Sequence, residues 1–211
     1  MKRPYVVINC AMSLDGKIAS PSGKQMKISN ELDMKRVHEL RNSSDAVLVG
    51  INTVLSDDPK LTVKEKYVKN PKNPIRIVLD TNCRTPENSL VINDKAKTII
   101  FTNKDCNKNF KKNVEIIQTK LTEDGFIDIE KMLERIYSMG IKKLMVEGGS
   151  IIISNFLKTG FVDDFFIFVG PMIIGGKDTP TIVNDLENIN LELVKSSKID
   201  DGVLLHFRLI K

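Results

Sequence analysis

The chain has no tryptophan, three cysteines and two histidines in 211 residues. Zinc sites are built from clustered cysteine and histidine. Here Cys10, Cys83 and Cys106 lie far apart, with only His38 and His206 to join them, so no metal knuckle is expected. An odd number of dispersed cysteines also argues against a disulfide framework. No apolar run approaches the roughly 20 residues that cross a bilayer as a helix. The opening Met1-Lys-Arg-Pro-Tyr5 lacks the apolar core of a secretion signal. A cytoplasmic protein with no membrane partner is expected.

Nucleic-acid binding is poorly supported. The net charge is +5, but the lysines are scattered through loops such as Lys64 to Lys72 and Lys104 to Lys112, and no basic stripe with interleaved aromatics can be placed. With 41% hydrophobic and 28% charged residues, the composition is that of an ordinary globular protein. A length of 211 residues suits one well-buried α/β domain, and no linker or internal repeat divides it.

What the chain does have is an alternation of apolar runs and turn residues. Tyr5 to Met12, Ala46 to Val49, Ile75 to Leu79, Thr98 to Phe101, Val114 to Ile117 and Lys143 to Val146 read as short buried strands. Asn30 to Arg41 is predicted helical, with Asn30 as cap and Met34, Val37 and Leu40 on one face. The clearest helix is Asp128 to Met139, where Ile129, Met132, Leu133, Ile136 and Tyr137 recur at helical spacing and Gly140 fits the position just past the end. A further apolar helix runs to about Leu157. Phe161 to Val169 is strongly apolar, suited to a central strand or to a dimer surface. Leu191 to Val194 and Val203 to Leu209 alternate as strands. Strands interleaved with helices, followed by strands alone, predict a mixed, mostly parallel central sheet flanked by helices, with an antiparallel C-terminal end.

Ligands in open α/β sheets bind beyond the carboxyl ends of strands. Three such ends carry polar or glycine-rich sequence. After Val49, Gly50 allows a turn, Asn52 and Thr53 offer N-cap oxygens, and Asp57-Asp58-Pro59 stops a short helix before Leu61 to Val63 resumes an extended pattern. After Leu79 comes Asp80-Thr81-Asn82-Cys83-Arg84. After Val146 comes Glu147-Gly-Gly-Ser150, where missing side chains let amides and a helix N-terminus approach a phosphate. This is neither a dinucleotide fingerprint nor a Walker loop, since the third glycine and the Gly-Lys-Ser/Thr are both absent. Each piece also has a structural reading. Glu147 can be a helix-entry carboxylate, Arg41 a partner of a helix C-terminus, Asp15-Gly16 the tip of a turn, and Lys17 a solvated lysine.

Taken in order, Met12-Ser-Leu-Asp-Gly-Lys17, Gly50 to Thr62, Arg76-Ile-Val-Leu-Asp80, Glu147-Gly-Gly-Ser150 and Gly170-Pro-Met-Ile-Ile-Gly-Gly176 resemble the riboflavin-biosynthesis reductases over nearly the whole chain. The resemblance implies a dihydrofolate-reductase-like fold, NADPH as cofactor, and reduction of the ribosyl group of a phosphorylated ribosylaminopyrimidine to a ribityl group. It also implies a homodimer. Carried over by position, Thr53, Asp57, Asp80, Thr81, Asn82, Gly148, Gly149, Ser150 and Ile151 contact the dinucleotide. Its 2′-phosphate needs a cation, and Arg84 is the candidate chosen for that reason rather than by position. Ser13, Arg41, Leu61, Lys64 and Glu147 line the sugar-phosphate site. Glu147 is the first candidate for a chemical role, and Asp57 the second.

The chain departs from the pattern of bacterial relatives in several places. Lys64 stands where they tend to have arginine, which replaces a bidentate contact with a point charge. Gln25-Met-Lys-Ile-Ser29 replaces a tryptophan-containing loop. The zinc deaminase elements often fused to bacterial forms are absent. Asn9 stands where lysine is usual. An asparagine can accept from an exocyclic amine, which suits a pyrimidine not yet deaminated; the lesser alternative is that it satisfies a strand-end backbone group. The alternatives are a reductase acting on the deaminated pyrimidine, a dihydrofolate or pteridine reductase, and a non-catalytic nucleotide-binding module.

Overall fold

All five residues of Ala46–Gly50 are buried, as the continuous apolar run requires of a strand covered on both faces. A computed structural model describes residues 1–210. The elements in chain order are β1 (Tyr5–Ser13), α1 (Glu31–Asn42), β2 (Ala46–Gly50), α2 (Ile51–Asp57), β3 (Ile75–Leu79), β4 (Thr98–Thr102), β5 (Val114–Gln118), α3 (Ile129–Ser138), β6 (Lys143–Gly148), α4 (Ser150–Thr159), β7 (Asp164–Gly170), β8 (Leu191–Ile199) and β9 (Gly202–Leu209). The strands form a nine-stranded sheet ordered β5-β4-β3-β2-β6-β1-β7-β9-β8. Pairing is parallel from β5 across to β7 and antiparallel for β7 with β9 and β9 with β8, as the strand and helix order predicts. Phe161 to Val169 supplies β7, which lies inside the sheet between β1 and β9.

Alternation along each parallel strand divides the core between two faces. On one face Ile8, Leu48 and Val146 meet Met132, Leu133 and Ile136 of α3 and Phe156 of α4. On the other, Val47, Val49 and Met145 meet Val37 of α1 and Val54 of α2. Two helix starts are capped by side chains, Asn30 as the sequence predicts and Asp128 one residue before the helix proper. Asn30 Oδ1 accepts the Asp33 amide at 2.8 Å, and Asp128 Oδ1 accepts the Lys131 amide at 3.0 Å. Gly140 ends α3 in the left-handed region at φ +91°.

Three expectations are corrected. The cap of α2 is Gly50, with no side-chain capping bond, so Asn52 and Thr53 lie inside the first turn, and Asn52 Oδ1 accepts from Arg84 instead. The chain does not resume a strand at Leu61. Asp58 ends α2 in the left-handed region and Leu61 is itself at φ +49°, so the backbone folds back and buries Leu61 beside Val54 and Val91. Cys83 and Cys106 are joined in a disulfide, their Cα atoms 5.7 Å apart. Each lies in the loop after one of two neighbouring parallel strands, β3 and β4, and the sheet brings together what is distant in sequence.

Arg76 is fully buried, which is rare for arginine. Its guanidinium donates to Asn93 Oδ1 at 2.9 Å and to the carbonyls of Asn93 and Ala96, bracing the long loop between β3 and β4. Burial pushes its pKa down to about 10.

The close approach of α4 to β2 depends on Gly50, because a Cβ there would lie 2.7 Å from Cγ1 of Ile152. Gly50→Ala is therefore expected to lower stability in urea unfolding by about 1–3 kcal/mol, the usual cost of overpacking. An unchanged midpoint would show that α4 can yield without cost.

Candidate active site

Because β1, β2, β3 and β6 are mutually parallel or linked through parallel neighbours, their carboxyl ends open on one edge of the sheet. The β2 and β6 ends are adjacent, and the two polar turns meet there. Gly149 has a positive φ, and a Cβ on it would lie 3.2 Å from Thr53 Oγ1, so the Gly-Gly turn lies against the first turn of α2. Residues Asn52, Thr53, Gly149 and Ser150 form a shared wall between two cavities.

The larger of these, about 730 Å³, is lined by Asp57, Glu147, Gly148, Cys10, Ala11 and the loop residues 25–29. The smaller, about 320 Å³, is lined by Thr81, Asn82, Arg84, Phe126, Ile151 and Asn155. In the smaller one Arg84 Nη2 donates to Asn52 Oδ1 at 2.8 Å, which brings the only arginine of that lining beside α2. Asp57 Oδ1 accepts the Ser56 hydroxyl at 2.7 Å.

Glu147 and Arg41 form an almost buried ion pair at the inner end of the larger cavity, with 12% and 15% of their side chains exposed. Arg41 Nε donates to Oε1 at 2.5 Å and Nη2 to Oε2 at 2.6 Å, the two-pronged arrangement that guanidinium geometry favours. A third bond runs from Arg41 Nη1 to the Thr62 carbonyl at 3.1 Å. Burial alone would lower the Arg41 pKa, but the charge and hydrogen bonds of Glu147 outweigh it and raise the value. Beyond the pair lies a third cavity of about 1070 Å³, lined by Arg41, Leu61, Lys64, Lys60, Lys95 and His38. The ion pair thus separates a glycine-rich cleft from a basic one.

Three of the residues assigned from sequence are buried. Ser13 is fully buried, donating to Asp15 Oδ1 at 2.6 Å and accepting the Lys17 amide at 2.9 Å, so its hydroxyl closes the turn after β1. Asp80 is fully buried and accepts both the amide and hydroxyl of Thr85 at 2.7 Å, which shapes the loop that presents Thr81, Asn82 and Arg84. Asn9 is buried on β1, one residue short of Cys10 and Ala11 in the cleft lining, and its Oδ1 has no hydrogen-bond partner. Lys17 Nζ reaches the Thr179 carbonyl at 3.3 Å.

Sequence reasoning missed His38 and the contributions of Met34 and Pro180 to the cleft. Residues 25–29, where bacterial relatives carry a tryptophan-containing loop, form one side of the larger cavity. No cluster of metal-ligating side chains occurs among the described residues. Among them, no helix is long and apolar enough to cross a membrane.

A twisted, mostly parallel sheet with an antiparallel end and a glycine-rich turn at a helix N-terminus defines an α/β protein of the dihydrofolate-reductase-like class. Dihydrofolate reductase from Enterococcus faecalis superposes with a TM-score of 0.57 over 98% of this chain and 97% of its own, at 12% identity. The family is narrower than the fold. Residues 4–205 match the RibD C-terminal domain, and the chain belongs to that family. It is similar to the 2,5-diamino-6-ribosylamino-4(3H)-pyrimidinone 5′-phosphate reductase of Methanothermobacter thermautotrophicus, with 40% identity over 97% of this chain and 98% of the relative. The protein of the same name from Archaeoglobus fulgidus is 41% identical over 85% of this chain and 86% of its own length. A deaminase/reductase structure from Thermotoga maritima superposes with a TM-score of 0.85 at 31% identity, covering 99% of this chain and 57% of that one.

His38 offers a test of the basic cavity's electrostatics. Its Nδ1 accepts the Lys64 amide at 3.3 Å and its ring stacks on Tyr67 at 4.7 Å. Burial first, then the neighbouring cations Arg41 and Lys64, push its pKa from 6.5 down to about 4. Between those values the unfolded chain binds a proton that the folded chain refuses, so stability falls as pH drops from 6.5 toward 4 and levels off below. In urea midpoints measured across that range, His38→Phe is expected to show a shallower decline. An unaltered slope would place the titration elsewhere.

Proposed function

We propose that this chain reduces the ribosyl group of 2,5-diamino-6-ribosylamino-4(3H)-pyrimidinone 5′-phosphate to a ribityl group with NADPH, as a step of riboflavin biosynthesis. The observation that carries the reading is the pair of cavities meeting at Thr53, Gly149 and Ser150, with a bare Gly-Gly turn between them. The residues fit a dinucleotide. A pyrophosphate suits the start of α4, where Gly148 and Gly149 leave the backbone uncovered and Ser150 adds a hydroxyl. The smaller cavity takes the adenosine half. Arg84 lies there for a 2′-phosphate, which is the basis for preferring NADPH over NADH. The names of the archaeal relatives, matched over almost their full length, support the substrate.

When bound, the nicotinamide supplies a hydride, and the sugar C1 of the ring-opened ribosylimine accepts it while the adjacent nitrogen takes a proton. The protein's part is orientation and exclusion of water. Arg41 fixes both oxygens of Glu147, so the carboxylate presents one defined edge to the larger cleft and can hold a ribose hydroxyl or relay a proton there. Asp57, on the same cleft, is a weaker candidate for that chemistry. Arg41, Leu61 and Lys64 bound the basic cavity that receives the 5′-phosphate, with Lys60 adding charge. Asn9 offers a buried oxygen with no partner, suited to the amine of a pyrimidine that has not been deaminated. Ser13 and Asp80 act through the turns they close.

The protein works in the cytoplasm as a homodimer. The sheet ends at β8, and Leu193, Val194 and Val203 on the terminal hairpin are exposed apolar side chains available to a second copy.

The direct test is loss of NADPH absorbance with the diaminopyrimidine ribosylamine phosphate. Turnover is expected; binding of NADPH without oxidation would favour a non-catalytic module, and turnover with dihydrofolate alone would favour a pteridine reductase. Glu147→Gln is expected to lose turnover far more than NADPH affinity, whereas equal loss of both would mark Glu147 as structural. Asn9→Lys is expected to shift kcat/KM toward the deaminated pyrimidine by about tenfold, the scale of one mismatched buried hydrogen bond. An unchanged ratio would mean that Asn9 does not read the base.

A further inference from the structure

Between β7 and β8 the chain runs through residues 171–190 without helix or strand, yet it is fastened along its course. Asp15 accepts the amides of Ile174 at 3.0 Å and Gly175 at 2.7 Å. The Ile18 amide donates to the Pro180 carbonyl at 3.0 Å. Further on, the Asn184 amide donates to Ser154 Oγ at 2.8 Å, and Asn184 Nδ2 donates to Ser150 Oγ at 3.1 Å. One residue of this strap therefore grips both serines on the first turns of α4.

We infer that Asn184 is a positioning residue that turns the Ser150 hydroxyl into a donor for an anion at the start of α4. A serine hydroxyl has one proton and two acceptor sites. Nδ2 of Asn184 occupies an acceptor site. Asn184 Oδ1 faces Thr181 on the strap at 3.4 Å, while the Thr181 hydroxyl directs its one proton to the Val183 carbonyl at 2.8 Å. Among the described residues the Ser150 proton makes no bond. It is left to point toward the cavities that Ser150 borders, where the helix dipole already favours negative charge. An acceptor at position 184 would reverse this by drawing the proton back to the strap. The inference rests on the reading that a dinucleotide pyrophosphate binds at Gly149 and Ser150, and it adds a residue that touches neither cofactor nor substrate.

The test is a double-mutant cycle on NADPH affinity, measured by fluorescence titration of the full chain, with saturated turnover measured in parallel. Ser150→Ala and Asn184→Ala are each expected to weaken binding by up to about tenfold, the scale of a hydrogen bond to a charged group. Their combination is expected to bind no worse than Ser150→Ala alone, and the kcat of Asn184→Ala is expected to stay near wild type. The near-isosteric Asn184→Asp is expected to bind more weakly than Asn184→Ala, and it supplies the comparison if the alanine variant does not fold. An Asn184→Ala loss that persists undiminished in the Ser150→Ala background would overturn the inference, as would wild-type affinity in Asn184→Asp. Wild-type protein that binds no NADPH would overturn the functional reading as well, so the two failures are distinguishable.

Discussion

A single irregularity in the sheet sets the geometry of the site. Leu48 of β2 pairs with Val146 of β6, but the next residue, Val49, pairs with Gly148. Glu147 is the extra residue of this bulge, and bulges beside functional sites commonly re-aim a side chain in this way. Val146 stays in the core beneath α3 and α4, while Glu147 leaves the ladder on the α1 side and meets Arg41. Two charges so nearly buried are costly to desolvate, and the two-pronged contact plus the Thr62 carbonyl offset that cost. The pair holds three things in register: the end of β6, the C-terminal turn of α1, and the backbone that folds back after Pro59.

Around that pair, the same parallel topology that buries the core also brings the chemistry together. β2 and β6 are neighbours although nearly a hundred residues separate them, so the turn after Gly50 and the Gly-Gly turn form one wall rather than two anion sites. The disulfide has the same origin, because Cys83 and Cys106 follow adjacent strands.

Much of the fold was legible because its signals are local. β3 is bounded by the apolar run itself, Asn30 caps as its position predicts, and the helical spacing of Met132, Leu133 and Ile136 places α3 against the sheet. Less local features were not legible. Leu61 takes a left-handed backbone because tertiary packing rewards its burial, against the preference of a bulky side chain. Arg76 and Asp80 belong to one of the motifs that carry the family resemblance, yet both are buried braces of the loop between β3 and β4. Likewise Ser13 and Asp15 serve a turn and the strap it holds. A motif therefore marks residues the site depends on without separating those that touch a ligand from those that shape the chain behind them. Asn184 is the converse case, a residue in an unpatterned stretch that meets Ser150 only in three dimensions.

The central claim is that the wall formed by Thr53, Gly149 and Ser150 divides the two halves of one dinucleotide. A crystal structure of the chain with NADPH tests it most directly. The account predicts the pyrophosphate at the start of α4, the adenosine half in the cavity bordered by Thr81, Asn82 and Arg84, and the nicotinamide in the larger cleft beside Glu147. A cofactor lying wholly on one side of that wall, or bound in the basic cavity beyond Arg41, would contradict it.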